Sequence, residues 1–450
     1  MTLDRADWLV PAFIIVCIIL GGASAGGYIA NAILQLLAIG LLATAWISRR
    51  DRRARGNERW LWLLVAAGMV LILAQFVPLP VSLWRELPGR SEIAAQLDVA
   101  GIRQSYAFVS FIPHESFKSA VWLLPALGIL CVMLRARTLF QERYLAIAIT
   151  STMCVAVIVA ALQLSQGTNS PLYFYEVTNR GSAVGFFANT NHMASLLLVT
   201  IPFQAALLKE ALERNDQKRL SGVFAILGTM AVTLAGIAVN GSLAGYGLLL
   251  PVCIASCLIL SEVPRVRGTV MLLLIAVLLA GLAILFATAE GSIMLDAAGA
   301  MPADSRQTIF ATSWHAIKDM WPLGSGIGTF AELYASYEDP GGVIHIYINH
   351  AHNDYIELVL ETGIAGAALM ALFLVWWGIS AVRIWRDPWV SPYVLAAVVA
   401  SATLLVHTLV DYPLRTAAMS SIFAISIALM AAGNLPARRL RPERTEGWGK

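Results

Sequence analysis

The sequence predicts an all-α, polytopic integral membrane bundle of about twelve transmembrane helices, with a large, partly helical outer loop before the tenth span. Three observations predict it. Of the 450 residues 58% are hydrophobic and only 13% charged, with a mean hydropathy of +0.71. A soluble domain carries about 25% charged residues, so polar side chains here are too few to coat a water-facing surface. Apolar runs long enough to cross ~30 Å of hydrocarbon as helices recur along the chain. These runs are continuous, where a closed barrel would show short alternating segments.

Taken in order, the spans lie at 8–27, 29–48, 60–77, 117–134, 144–164, 184–208, 220–239, 243–261, 269–289, 363–382, 391–410 and 418–433. Near the end of the first, Ala23-Ser24-Ala25 resembles a signal-peptidase site, but the leader before it sets Asp4 and Asp7 against Arg5, a net negative charge that argues against cleavage. The net charge of +3, from 31 Lys+Arg and 28 Asp+Glu, is unevenly spread. With both termini in the cytoplasm, 23 of the basic residues fall inside and eight outside, as the positive-inside rule requires. The arginine-rich runs sit in short inner loops and the tail, which argues against a nucleic-acid partner. All five cysteines (Cys17, Cys131, Cys154, Cys253 and Cys257) lie in apolar runs, where thiols act as small hydrophobes, so neither a disulfide framework nor a thiolate metal site is predicted.

The chain accordingly divides into 1–289, with nine spans and a medium outer loop at 78–116; 290–362, a long outer loop; 363–433, with three spans; and 434–450, a basic cytoplasmic tail. Order is predicted within the long loop. Asp304 and Gln307 fit a capping box, and Ile309, Phe310, Ile317 and Met320 follow at helical spacing until Trp321-Pro322 ends the run. After the turn Gly324-Ser325-Gly326-Ile327-Gly328, the residues His352, Tyr355, Ile356, Val359, Leu360 and Gly363 share one face of a second helix that leads into span ten.

Chemistry concentrates in this loop, where His345, His350 and His352 fall within eight residues. The cluster has three readings. Imidazoles suit an amphipathic interface. His350 and His352 with Asp354 offer zinc ligands, although neither a His-Glu-x-x-His pattern nor an outer cysteine supports a metal. In the third reading one histidine is a general base, since an imidazole with a pKa near ~6.5 takes a proton from a sugar hydroxyl at neutral pH. Asn353, Asp354 and Tyr355 then orient it or grip a polyhydroxyl acceptor.

Such a base needs an electrophile with a good leaving group, and a membrane-embedded lipid pyrophosphate supplies one without ATP. Pyrophosphate needs cations, and the outer face has Arg85, Arg90, Arg103, Lys118, Arg180, Arg306, Lys318 and Arg415. The planar guanidinium fork suits paired phosphate oxygens. Arg306 opens the capped loop helix, whose N-terminus adds backbone N–H donors. Arg180 precedes a span carrying Asn189, Asn191 and His192, polar groups that are costly in a membrane unless they face a cavity or another helix. His407, Asp411 and Arg415 cluster where span eleven meets the outer face, Asp411 and Arg415 either as a structural ion pair or as site residues.

His352-Asn353, nine residues and then Gly363-Ile364-Ala365-Gly366 resemble the His-Asn-x9-Gly-x-x-Gly signature of the O-antigen ligase and polymerase family of membrane glycosyltransferases. Gly185-Phe186-Phe187-Ala188-Asn189-Thr190-Asn191-His192, the stretch from Pro322 to Phe330 preceded by Arg306, and His407 to Arg415 are similar to family segments, in matching order over residues 160–420. The resemblance implies inverting transfer of a glycan from undecaprenyl pyrophosphate to an acceptor hydroxyl on the periplasmic face of the bacterial inner membrane, with neither metal nor cofactor. It implies His352 as the base and Arg306 as the pyrophosphate holder, with Asn353, Asp354, Tyr355, His350 and Asp411 orienting base or acceptor. Where relatives have Gly-Ser-Arg, this chain reads Gly241-Ser242-Leu243, so one expected pyrophosphate-binding arginine is missing and Arg180 or Arg415 takes its part.

The partners implied are a lipid-linked glycan donor, lipid A core or a second lipid-linked glycan as acceptor, and membrane lipids. A protein acceptor would make an oligosaccharyltransferase of the same family, a version that the short basic tail is expected to disfavour. The competing class is a secondary transporter, for which twelve spans is a common number. Transporters show symmetric halves and charge at mid-membrane depth, whereas the polar chemistry here lies largely in one outer loop.

Overall fold

The computed structural model describes residues 5–48, 56–261, 269–270, 273, 304–338 and 348–433. The protein is a polytopic all-α membrane protein. Among the described residues, eight helices are long and apolar enough to cross a membrane and three further apolar helices are shorter. The helices are α1 (Leu9–Leu20), α2 (Tyr28–Ile47), α3 (Gly56–Ala74), α4 (Val81–Trp84), α5 (Ser91–Val99), α6 (Pro113–Trp122), α7 (Leu124–Arg135), α8 (Glu142–Gln166), α9 (Thr190–Glu213), α10 (Arg219–Asn240) and α11 (Leu243–Leu260), followed by α12 (Asp304–Met320), α13 (Phe330–Tyr337), α14 (Asp354–Arg386), α15 (Pro392–His407) and α16 (Ala417–Ala432); α6 and α7 together make one of the eleven, and α4, α5, α12 and α13 are not among them. Among the described residues, one short antiparallel ladder pairs Pro78–Pro80 with Tyr106–Phe108. The predicted ninth span, at 269–289, lies almost wholly outside the described residues, as do His345 and the tail 434–450.

Helix α9 is the hub, packing on α10, α11 and α15, and 78% of its apolar window is buried against 11% for α3 at the periphery. Helix α1 is built into the bundle: it packs on α8 and α16, and Gly21 O accepts from Ala418 N at 3.0 Å. Two predicted spans differ in form. Span four bends at Leu123 into α6 and α7, with Pro125 in the first turn of α7, where a missing N–H costs no bond. Span six starts at Thr190, six residues later than predicted, because Val184 N and Gly185 N donate to the buried Gln163 Oε1 and Asn189 caps the helix through Asn191 N. Asn189, Asn191 and His192 therefore sit at the N-terminus of the helix, as its cap and first turn.

The outer segments form a second core. Ile309, Ile317, Met320, Phe330, Leu333 and Leu360 are buried together, with Phe310, Ile356 and Val359 at its rim. Arg90, 0% exposed, joins the 78–116 loop to the glycine-rich turn by donating to Pro88 O, Val109 O and Gly324 O at 2.7, 2.9 and 2.9 Å, its guanidinium 4.5 Å from the Phe111 ring centre. It is a structural staple, not a cation open to an anion.

Candidate active site

The nine residues between the signature Asn353 and Gly363 form one short helical segment held at both ends. Asn353 is its N-cap, its Oδ1 accepting from Tyr355 N and Ile356 N. Asn353 Nδ2 donates to Leu409 O at 2.9 Å, Asp354 N to Thr408 O at 3.1 Å and Tyr355 OH to Leu405 O at 2.8 Å, which lashes this end to the last turn of α15 and the loop beyond. The far end stops at Gly363, with φ 59° and ψ −147°, before the helix resumes as a span. A Cβ there would lie 2.0 Å from Pro322 O, so only glycine fits. The glycine-rich turn closes over the break: Ser325 N and Gly326 N donate to Leu360 O and Glu361 O, and Ile364 N donates to Pro322 O. Carbonyls orphaned where a helix ends thus find partners.

This lashing brings His352 to Asp411, 59 residues on. His352 has a left-handed backbone, φ 52°, a conformation histidine tolerates at a cost and one that clusters at functional sites. Its Nδ1 lies 3.3 Å from Asp411 Oδ1. Asp411 is 0% exposed, and an ionised carboxylate only accepts; Nδ1 therefore carries the proton and Nε2 the lone pair. Burial alone would raise the Asp411 pKa, but the His352 hydrogen bond and the fields of His192, His352 and His407 hold it well below the usual carboxylate range. The ring of Tyr412 meets His192, His350 and His352 at 5.1, 4.4 and 5.0 Å between centroids. Burial, then the Asp411 charge, pushes its phenol far up, so Tyr412 stays neutral.

Beside this centre lies a second one. Arg415 faces Asp354 at 3.1 Å, Glu357 at 3.3 Å and Glu361 at 3.3 Å. Burial works against the guanidinium charge, and the three carboxylates more than offset it. Glu357 also accepts from His350 Nδ1 at 2.8 Å and from Ala351 N at 2.9 Å, while Glu361 Oε1 accepts from Gly328 N. A cavity of about 430 Å³ opens against this group. It is lined by Leu71 and Ile72 of α3 and Leu369 of α14, and by Lys118, His350, Glu361 and Arg415.

Of the predicted site residues, His350, His352, Asn353, Asp354, Tyr355, Asp411 and Arg415 come together. Arg180, itself exposed on the 167–189 connection, donates instead to Thr168 O at 3.3 Å with its guanidinium over Tyr173. Arg306 lies in the first turn of α12; its side chain, like those of Asp304 and Gln307 in the predicted capping box, lies outside the described residues. Arg415, the other predicted pyrophosphate ligand, faces three carboxylates, which leaves it fewer donors for an anion. Where the arginine of relatives is missing, Ser242 caps α11 and donates to Asn191 Oδ1 at 2.7 Å, and Leu243 is exposed. No group of three His, Cys, Asp or Glu side chains is arranged to hold a metal ion among the described residues.

Three participants were not predicted. Glu357 and Glu361 follow Asp354 at i+3 and i+7, one face of a helix, and that spacing is legible in the sequence. Tyr412 carries no such signal beyond its place after Asp411.

A helical membrane bundle thus carries a buried imidazole–carboxylate centre at one end. Residues 225–371 match the family model described as O-antigen ligase, and over this stretch the chain is similar to the O-antigen ligase/polymerase family of membrane glycosyl-transfer enzymes. The matched stretch runs from α10 into the tenth span and includes Arg306, His350 and His352. No curated protein matches the chain.

Proposed function

We propose that this protein transfers a glycan from undecaprenyl pyrophosphate to an acceptor hydroxyl on the periplasmic face of the inner membrane, with inversion and without a metal or cofactor. The observation that carries the reading is the His352–Asp411 pair, whose geometry leaves the His352 Nε2 lone pair for the acceptor. The acceptor O–H gives its proton to Nε2 as its oxygen attacks the anomeric carbon. The bond from that carbon to the pyrophosphate oxygen breaks on the opposite side, and prenyl pyrophosphate leaves with the electron pair. Asp411 holds the imidazole in the required tautomer and stabilises the imidazolium.

The donor's lipid tail stays in the bilayer, and Arg306 grips its pyrophosphate, with Arg180 as the second cation in place of the one missing at Leu243. Arg415 instead fixes the carboxylates of Asp354, Glu357 and Glu361. His350 and Asp354, which line the cavity, contribute to acceptor binding there. Lipid A core as acceptor makes a ligase, a second lipid-linked glycan makes a polymerase, and a protein hydroxyl makes an oligosaccharyltransferase.

The test is purified protein in lipid with an undecaprenyl-linked oligosaccharide, with core lipid added or omitted. Capping of core lipid identifies a ligase, and chain growth without it a polymerase. His352→Ala is expected to lower transfer by about 10²- to 10⁴-fold without loss of fold, the range typical of a general base. Retained transfer by this variant would reject the base assignment.

A further inference from the structure

The far side of Asp411 holds a group that the mechanism above does not use. His192, in the first turn of α9, is 1% exposed, and its Nε2 lies 3.6 Å from Asp411 Oδ2. Neither ring nitrogen of His192 has a hydrogen-bond partner, and Asp411 Oδ2 has none either. The ring is held edge-on to Tyr412, with an interplanar angle of 81°, and α9 is buried around it, so neither group turns to water. Two buried polar atoms that face each other at this distance need a shift of about 0.8 Å to form an N–H···O⁻ bond of about 2.8 Å.

We propose that His192 is a positioning residue for glycosyl transfer, an imidazole that donates from Nε2 to Asp411 Oδ2 and so keeps Asp411 Oδ1 on His352. This rests on the function proposed above. A carboxylate with one oxygen bonded and the other bare in a buried site either rotates or takes up a proton. Either change removes the acceptor that fixes the His352 tautomer. The other titratable groups facing the pair are His350 and His352 before α14, His407 at the end of α15 and Tyr412 after Asp411. His407 Nδ1 is itself bonded to Ser195 Oγ at 2.8 Å, one turn along α9 from His192. Beside them Asn189 caps α9 by accepting from Asn191 N, and Ser242 donates to Asn191 Oδ1 at 2.7 Å. The polar group at 189–192 is thus a constructed side of the centre.

The experiment compares His192→Gln with His192→Asn in purified protein, using an undecaprenyl-linked oligosaccharide as donor. A glutamine amide reaches the position of Nε2, whereas an asparagine amide reaches only that of Nδ1. Glutamine is expected to keep kcat within about fivefold of the natural enzyme, while asparagine lowers it about 30-fold or more with both KM values within about twofold, the pattern of a group acting only in the transition state. Equal kcat in the two variants overturns the proposal. So does a loss that falls on KM in both, which marks a purely structural role. If the natural protein itself transfers no glycan from this donor, the proposed function fails first, and this inference falls with it.

Discussion

The two ends of the bundle hold charge in different ways. Where α8 and α15 begin and α9 finishes, ionisable groups meet in small sets: Glu58 with Arg137, Glu210 with Arg143 and Tyr393, Glu142 with Ser391, Asp7 with Gln141. At the other end, where α9 begins and α15 finishes, charges are shared. Asp411 lies between two imidazoles, and Arg415 faces three carboxylates. Pairs of the first kind tie helix ends together. Crowding of the second kind is a poor way to stabilise a fold, since burying charge costs more than packing apolar groups of similar size. A left-handed His352 and bare buried nitrogens beside it add to that cost. Such concentrations of unfavourable features belong to sites that use them.

The sharpest way to break this comparison is to neutralise one acid at each end. Asp411→Asn is expected to lower kcat about 100-fold, while Glu210→Gln leaves it within about twofold. A glycan-transfer assay on the two variants checks this, and equal losses would abolish the distinction. Acid stability gives the same contrast another reading. Because the folded pKa of Asp411 is depressed, its contribution to stability is complete above the unfolded value near ~3.9 and is lost as pH falls through the folded value. Thermal unfolding should therefore show the natural protein above Asp411→Asn at neutral pH, with a gap that narrows only below about pH 4. A gap that widens in acid contradicts the sign.

Next in size is Arg415→Met. Removing the guanidinium leaves Asp354, Glu357 and Glu361 facing one another without compensation, and breaking a buried ion pair in this way typically costs about 3–5 kcal/mol. The side chain is 20% exposed, so the lower part of that range is expected. Thermal unfolding in detergent measures it. Adding Glu361→Gln to the same chain should recover part of the loss by lowering the surplus of negative charge. No recovery would mean that packing, and not charge, is what Arg415 supplies.

How much of this was legible follows the range of the interactions. Apolar length gave the spans, and the periodicity of Ile309, Ile317 and Met320 gave the loop helix, because both are local. The signature was legible as a pattern, but its physics was not: Asn353 is fixed by the Leu409 carbonyl, and Gly363 is demanded by Pro322 O, contacts that a linear reading does not hold. Asp411 and Arg415 read equally well as an ion pair with each other, yet each is committed elsewhere. Arg90 looked like a cation for an anion and became a staple, since a run of outer arginines carries no mark of which one is enclosed. Span six was extended too far because Val184, Phe186 and Phe187 are apolar, while the buried Gln163 that holds this stretch in a turn lies on another helix.

The smallest predicted effect tests the simpler end. Arg143 meets Glu210 at 3.4 Å with side chains 45% and 34% exposed, so water and salt screen the pair and two flexible side chains must be ordered to make it. Arg143→Met should cost less than about 1 kcal/mol, and raising the salt concentration in the natural protein should remove most of that difference. Transfer should be unchanged, because nothing at this end reaches His352. A loss several times larger, insensitive to salt, would show that Arg143 belongs to a shared network through Tyr393 and Glu142, and the distinction between the two ends would then be one of chemistry alone and not of how charge is arranged.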